Sequence, residues 1–253
     1  SIFEEAPAGA PDYKSQIPQH NHSGPCKMTV RSFVSQLARY EGENVFNPYR
    51  DVCVAADLQD AADRRQANLR AMLDACLARG VDTIWVARDL GYRGGRRTGL
   101  PLTDEAHLNA LQGLFGTQKV VRATKDELVA ERTATTIWQV LAQIGRPIML
   151  WNVFPFHPHE ADNPFSNRCH SRAEREATLP YLWDLVDLLK PKKLVAIGRD
   201  AQRALTDAPV EMVEVRHPSY GGQREFVQKL YEVYGIDDER GTIQNTTLRH
   251  CPA

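Results

Sequence analysis

The sequence contains no run of about 20 apolar residues, the length that a helix needs to span a bilayer. Its first residues, SIFEEAPAGAPDYK, lack the basic region and the apolar region that together mark a secretory signal. These absences argue against a membrane protein and against secretion. We therefore expect a soluble, cytoplasmic protein that makes no contact with membranes.

The sequence also lacks an excess of charge and any regular spacing of cysteines. Its 31 basic and 32 acidic side chains nearly cancel, so attraction to a polyanion has to come from local clusters. The five cysteines show no C-x-x-C spacing, and an odd number scattered along the chain makes a poor disulfide framework. We expect reduced, structural cysteines, because an iron–sulfur cluster would require four of them to converge.

The 253 residues, of which 42% are apolar, are enough to bury one sizeable core. Prolines interspersed with Gly, Ser and His residues near the amino terminus favour an extended arm over a packed helix. We predict such an arm over residues 1–28 and a single α/β domain over residues 29–253.

Hydrophobic periodicity predicts alternating helices and strands along this domain. Helices are expected at about 29–40, 55–80, from 104 onward, 133–144, 172–189, 199–206 and 223–234. Strands are expected at 81–87, 147–154, 192–198 and 210–215, with 119–121 as a further candidate, and 43–51 is expected to be a loop. The order predicts a three-layer α/β/α fold with a central, mainly parallel four-stranded sheet.

Two segments that follow predicted strands carry candidate catalytic side chains. Residues 86–105 (VARDLGYRGGRRTGLPLTDE) place Asp89 in a glycine- and arginine-rich turn, and residues 215–224 (VRHPSYGGQR) place His217 between an arginine and a proline. Loops at the carboxyl ends of strands form the ligand sites of open α/β sheets, so the two side chains can meet. Arginines and glycine-exposed amides bind phosphate, which points to nucleic acid. An arginine turn that makes only intramolecular salt bridges is the alternative.

These segments resemble motifs of the uracil-DNA glycosylase superfamily, and the resemblance covers about residues 81–234. Residues 87–91 (ARDLG) are similar to the first motif, G-[QE]-[DA]-P-[YG], and the next residues resemble Y-R-G-x-x-x-T-G-x-P-F-T. Asn152 in LWNVFPFHP corresponds to an asparagine that follows the central apolar strand. His217, Pro218 and Ser219 match the H-P-S motif before the last helix.

The resemblance implies a glycosylase that removes uracil flipped out of DNA. Asp89 would orient water or stabilise positive charge on the sugar, and a neutral His217 would donate to the departing uracil. Asn152 would read the uracil edge, because an amide matches its N3–H donor and O4 acceptor. Further uracil-binding residues would be Gly91, Tyr92, Leu102 and Arg88. The DNA-binding residues would be Arg93, Arg96, Arg97, Thr98, Ser219, Tyr220, Gly221, Gln223 and Arg224.

The resemblance also implies no metal and no cofactor. The expected substrate is single- or double-stranded DNA containing uracil, the released product is uracil, and the protein is a monomer, associated with the nucleoid if bacterial. The three motif segments contain no lysine that could form a Schiff base. The predicted enzyme is therefore monofunctional, with water as its nucleophile.

The first motif departs from the family pattern at Ala87, Arg88 and Leu90. Gly91 stands where a tyrosine in some members excludes the 5-methyl group of thymine, so the breadth of substrates is open. A protein that binds uracil, abasic sites or nucleotides without catalysis is therefore the alternative function.

The residues that would stack on the base and wedge the duplex also differ. Leu102 replaces the stacking aromatic residue, and Tyr92, Phe46 or Phe154 are the candidate substitutes. The wedge position falls on Gly221, which has no side chain to intercalate. The candidates for that role are Tyr220, Gln223 and Arg224.

Structural roles are the alternative for each catalytic candidate. Asp89 could cap a turn or pair with Arg88 or Arg93, Asn152 could cap the following turn, and His217 could be satisfied by the backbone. One further cluster contains metal-ligand types, namely His157, His159, Glu160, Asp162 and His170. Proline between two of the histidines and the lack of regular spacing favour a solvated loop over a metal site.

Overall fold

The computed structural model describes residues 28–237. The helices are α1 (Val30–Leu37), α2 (Ala61–Arg79), α3 (Gly95–Thr98), α4 (Leu108–Phe115), α5 (Arg132–Ile144), α6 (Arg172–Leu189), α7 (Arg199–Ala204) and α8 (Gln223–Tyr234). The strands are β1 (Val45–Phe46), β2 (Thr83–Asp89), β3 (Met149–Phe154), β4 (His157–Pro158), β5 (Lys193–Ile197) and β6 (Glu211–Val215). Apart from Met28, the predicted arm lies outside the described residues.

A four-stranded sheet in the order β3-β2-β5-β6 forms the centre of the fold, and all of its strand pairs are parallel. Helices cover both faces. Trp151 of β3 contacts Phe33 of α1, whereas Trp85 of β2 contacts Phe226 of α8. Trp85 is paired with Leu150, the neighbour of Trp151, so the two tryptophans project from opposite faces. The predicted three-layer α/β/α fold with a mainly parallel four-stranded sheet is confirmed.

Most element boundaries agree with the hydrophobic pattern, but α2 begins later than predicted. It starts at Ala61 instead of residue 55, because the preceding residues form a separate turn. The Asp57 carboxylate accepts the Cys53 backbone N–H at 2.8 Å and forms a buried ion pair with Arg65 of α2 at 2.5 Å. These bonds draw the backbone away from helical geometry before α2 starts.

The candidate strand at residues 119–121 is wrong, because side-chain amides take the place of a neighbouring strand. Asn68 of α2 donates to the Val121 carbonyl at 2.8 Å and accepts the Val121 N–H at 2.9 Å. Gln112 donates to the Val120 carbonyl at 2.8 Å. These bonds satisfy the backbone without a sheet.

The predicted loop at residues 43–51 contains a short strand. Val45 and Phe46 of β1 pair antiparallel with Pro158 and His157 of β4, outside the central sheet. None of the helices in residues 28–237 is both long and apolar enough to cross a membrane. Within the same residues, Cys53, Cys76 and Cys169 are free thiols.

Asn68 gives a test of this packing, since it also donates to the Thr98 carbonyl at 2.9 Å. Asn68→Ala removes three hydrogen bonds and leaves their backbone partners unpaired, so we expect the free energy of unfolding to fall by about 2–4 kcal/mol. Urea denaturation followed by circular dichroism measures the change. Asn109→Ala, at an exposed position of α4, is the control and should change stability by less than about 0.5 kcal/mol. Equal effects of the two substitutions would contradict this role of Asn68.

Candidate active site

A cleft of about 530 Å³ lies where β2, β5 and β6 end. Parallel strands all present their carboxyl ends at the same edge, so the loops that follow them surround one space. The wall includes Ala87, Arg88, Asp89, Leu90, Gly91, Gly95, Leu102, Glu131, Thr133, Asn167, Arg168, Ile197, Gly198, Arg199, Asp200, His217, Ser219 and Tyr220. The structure therefore brings Asp89 and His217 to one cleft from positions far apart in sequence.

Asp89 is the last residue of β2, and its side chain is only 6% exposed. One carboxylate oxygen contacts Nε of Arg88, and the other contacts Nδ1 of His170. His170 is 3% exposed and stacks on the Phe154 ring with a centroid distance of 5.6 Å. Asp89 is thus held from two sides, by Arg88 and by the buried imidazole of His170.

The sequence did not identify His170 as a partner of Asp89. The two residues are 81 positions apart, and no local pattern links them. The expectation of a solvated loop is wrong for His170 and also for His157, which is fully buried and bonds through Nε2 to the Ser166 carbonyl at 2.7 Å. Burial lowers the pKa of His157 to about 3, with a smaller contribution from Arg96, so its imidazole is neutral. Within residues 28–237, no three His, Cys, Asp or Glu residues come together as metal ligands.

The tautomer of His217 follows from its contacts. Nδ1 accepts the Ser219 backbone N–H at 3.2 Å and lies 2.7 Å from the Ser219 hydroxyl. A nitrogen that accepts an N–H carries no proton, so the proton of the neutral ring is on Nε2. Burial, and next the positive charge of Arg88, hold the pKa of His217 below its usual range. His217 is therefore a neutral donor at pH 7.

Arg88 links the two candidate catalytic residues. Besides contacting Asp89, its guanidinium lies 3.5 Å from Asp200 of α7. Its charge also acts on His217. Arg88 does line the cleft, as expected of a uracil-binding residue, but Asp89 already engages its Nε.

Asn152 is not part of the cleft wall, but it is the sheet neighbour of a wall residue. It is fully buried and paired in the sheet with Ala87, which does line the cleft. Its amide nitrogen donates to the Asp89 carbonyl at 3.0 Å, and this bond fixes the orientation of the amide. Its oxygen, Oδ1, has no hydrogen-bond partner among residues 28–237. An unpaired buried acceptor can accept a hydrogen bond from a ligand or a water molecule.

The remaining uracil-binding candidates divide between two cavities. Gly91 and Leu102 line the cleft, whereas Tyr92 lines a neighbouring cavity of about 540 Å³. The rings of Phe46 and Phe154 are buried against other side chains. Of the three aromatic candidates, none forms part of the cleft wall as the described residues define it.

Of the three arginines in the glycine-rich turn, Arg96 and Arg97 make contacts within the protein. Arg96 is 5% exposed, lies between the rings of Phe46 and Phe165 at 4.2 and 4.8 Å, and donates to the Pro164 carbonyl. Arg97 forms ion pairs with Glu105 and Asp126. Both were expected to contact DNA phosphates, but these contacts engage their guanidinium groups in the packing of the protein.

Thr98 is also directed inward, since it is fully buried and donates to the Thr103 carbonyl at 2.8 Å. Arg93, by contrast, is exposed and bonds to the Tyr92 hydroxyl at 2.8 Å. Of the basic residues in this turn, Arg93 is therefore the one that stays available to a phosphate.

The loop after His217 projects into solvent at the cleft. Tyr220 is 98% exposed with φ of 52°, and Gly221 follows with φ of 78°. A tyrosine in the left-handed region is uncommon and costs backbone energy. Gln223 and Arg224 are exposed at the start of α8, whereas Ser219 is occupied with His217.

Glu131 is a second cleft residue that the sequence did not identify. It precedes α5, and its carboxyl group lies against the backbone of Gly91 and Gly94. Burial raises its pKa to about 7, Asp104 adds to the rise, and Arg93 opposes it. No motif contains Glu131, so only the folded arrangement reveals it.

Comparison with known proteins accords with this geometry. The family model described as the uracil DNA glycosylase superfamily matches residues 88–233. Among solved structures, wild-type SMUG2 of Pedobacter heparinus has a similar fold, with a TM-score of 0.58 and 14% sequence identity over 87% of this chain and 100% of that chain. No curated protein matches the sequence. Because the family model covers more than half of the 253 residues, the chain belongs to the uracil DNA glycosylase superfamily.

Proposed function

We propose that this protein hydrolyses the N-glycosidic bond of uracil flipped out of DNA and leaves an abasic site, the first step of base-excision repair. The observation that carries the proposal is the shared cleft of Asp89 and His217, in which each side chain is oriented by its own partners. Flipping the base out of the duplex costs a few kcal/mol of pairing and stacking free energy, and contacts in the cleft would offset this cost.

The two residues suit the two ends of the breaking bond. Cleavage develops positive charge on the sugar and negative charge on the departing uracil. The Asp89 carboxylate would stabilise the sugar or orient the attacking water. The Nε2–H group of His217 makes no hydrogen bond to the described residues, so it is free to donate to uracil O2. A preorganised neutral donor stabilises this anion without a prior protonation step.

Asn152 would complete base recognition. Its amide orientation leaves Oδ1 as the unpaired acceptor, which is complementary to the N3–H donor of uracil. Cytosine has an acceptor at N3 and would leave Oδ1 unpaired. In this proposal the base would reach Asn152 beside its sheet partner Ala87, which lines the cleft.

The exposed loop supports DNA binding beside the cleft. Tyr220 extends into solvent next to His217 and could fill the space left in the duplex by the flipped base. Arg93, Arg224, Gln223 and the backbone at Gly221 would contact phosphates. The cleft wall contains no lysine among the described residues, which supports a monofunctional enzyme that uses water. The monomeric state, the cytoplasmic location and the division into arm and domain stay predictions.

The direct test is incubation with oligonucleotides that carry one uracil, single- and double-stranded, followed by alkali and a denaturing gel. We expect the parent to give cleavage only after alkali. Asp89→Asn should reduce the excision rate by about 10²- to 10⁴-fold, and His217→Ala by about 10²- to 10³-fold. Asp207→Asn, at an exposed site, should match the parent. A parent that binds uracil-containing DNA but excises nothing would instead support the non-catalytic binder.

His170 gives a separate prediction, because it acts through Asp89. His170→Ala should lower kcat by about 10- to 100-fold and leave KM nearly unchanged, since the carboxylate loses its orienting donor. His170→Asn should restore much of the loss, because the amide nitrogen replaces Nδ1. In the Asp89→Asn background, His170→Ala should cause little further loss. Additive losses in the double variant would show that His170 does not act through Asp89.

A further inference from the structure

Glu131 occupies space that a side chain at position 91 would otherwise fill. A Cβ atom on Gly91 would lie 2.9 Å from Oε1 of Glu131, and one on Gly94 would overlap Oε2. The carboxyl group therefore rests on the glycine-rich loop, and Glu131 lines the same cleft as Asp89 and His217. Glu131 is distinct from the residues to which catalysis and base recognition are assigned, namely Asp89, Asn152 and His217.

The surroundings of Glu131 favour a protonated carboxyl group. Asp104 faces it from the turn before α4 and accepts the Glu131 backbone N–H at 2.5 Å. Arg93 faces it from the glycine-rich loop and is exposed to solvent, whereas Arg88, Asp89, Arg168, Asp200 and His217 line the rest of the cleft. Burial and Asp104 together raise the pKa of Glu131 to about 7 against the opposing charge of Arg93.

We propose that Glu131 is a specificity-determining residue whose protonated carboxyl group donates a hydrogen bond to a carbonyl oxygen of the flipped base. The inference rests on the proposed function and assigns a hydrogen-bond donor to one of the two exocyclic carbonyl oxygens of uracil. A neutral carboxyl group has one O–H donor, whereas an ionised one has acceptors only. Ionised Glu131 therefore repels the carbonyl oxygen, and excision should decline as pH rises.

The decisive experiment compares the pH dependence of kcat/KM on single-stranded uracil DNA for the parent, Glu131→Gln and Glu127→Gln. For the parent we expect a decline of roughly tenfold for each pH unit above about 7. In Glu131→Gln the amide donates at every pH, so the decline should disappear between about pH 6 and 9. Glu127 is exposed, and its variant should keep the parent profile. An unchanged decline in Glu131→Gln overturns the assignment.

The pH dependence of folding stability needs no substrate, so it tests the protonation of Glu131 independently of the proposed function. The pKa of Glu131 is higher in the fold than the ordinary 4.5, so the unfolded chain releases the proton first as pH rises. The parent should therefore lose stability between about pH 4.5 and 7 relative to Glu131→Gln, and the difference should be constant above that range. If the parent and Glu131→Gln show no such difference in stability, the assignment of a protonated carboxyl group to Glu131 is overturned.

If the parent excises uracil at no pH, the proposed function fails, and the role of Glu131 in base recognition fails with it. If the parent is active and only the Glu131→Gln profile contradicts expectation, the glycosylase proposal stands and the Glu131 proposal alone is rejected.

Discussion

The position of the Asp89 carboxylate is the constraint on which the rest of the site depends. A buried carboxylate is costly unless it is paired and hydrogen-bonded, and here Arg88 and His170 supply both kinds of contact. The backbone of the same residue holds the Asn152 amide in one orientation. Arg88 in turn lowers the pKa of His217 beyond the effect of burial. The charged and polar groups of the cleft therefore act on one another, and Asp89 at the end of β2 is at their centre.

The arginine-rich turn contains arginines that pack inside the protein as well as an arginine that is exposed to solvent. With a net charge of −1, the protein has no general attraction for DNA, so in the proposed function DNA binding would depend on the few exposed basic groups near the cleft. Arg96 and Arg97 instead support the turn, through aromatic rings in one case and carboxylates in the other. Their packing holds the glycine backbone in place, and Glu131 packs against that backbone. The arginines packed inside the turn thus support the wall of the cleft, and under the proposed function the exposed Arg93 would face the DNA.

The sequence was sufficient to predict most of the fold, because buried strands and amphipathic helices leave a local periodic pattern. The bounds of α6 and α8 agree with that pattern, as do the four strands of the central sheet. The strand prediction from this pattern failed at residues 119–121, because Asn68, 53 positions away from Val121, supplies the hydrogen bonds there. At the site, the motifs pointed to Asp89 and His217. The sequence offered His170 only as a possible metal ligand and did not point to Glu131, because their contacts join remote segments. Burial of Arg96 depends on Phe46 of β1 and on Phe165, which lie elsewhere in the sequence.

The proposed function requires a flipped uracil to enter the cleft between Asp89 and His217. The most direct measurement is a crystal structure with duplex DNA that carries 2′-fluoro-2′-deoxyuridine, in which the fluorine disfavours positive charge on the sugar and so slows cleavage. We expect the base inside the cleft, with uracil O2 within hydrogen-bond distance of Nε2 of His217 and the sugar next to Asp89. A base that stays stacked in the duplex, or DNA bound away from the loop that carries Tyr220, would contradict this expectation.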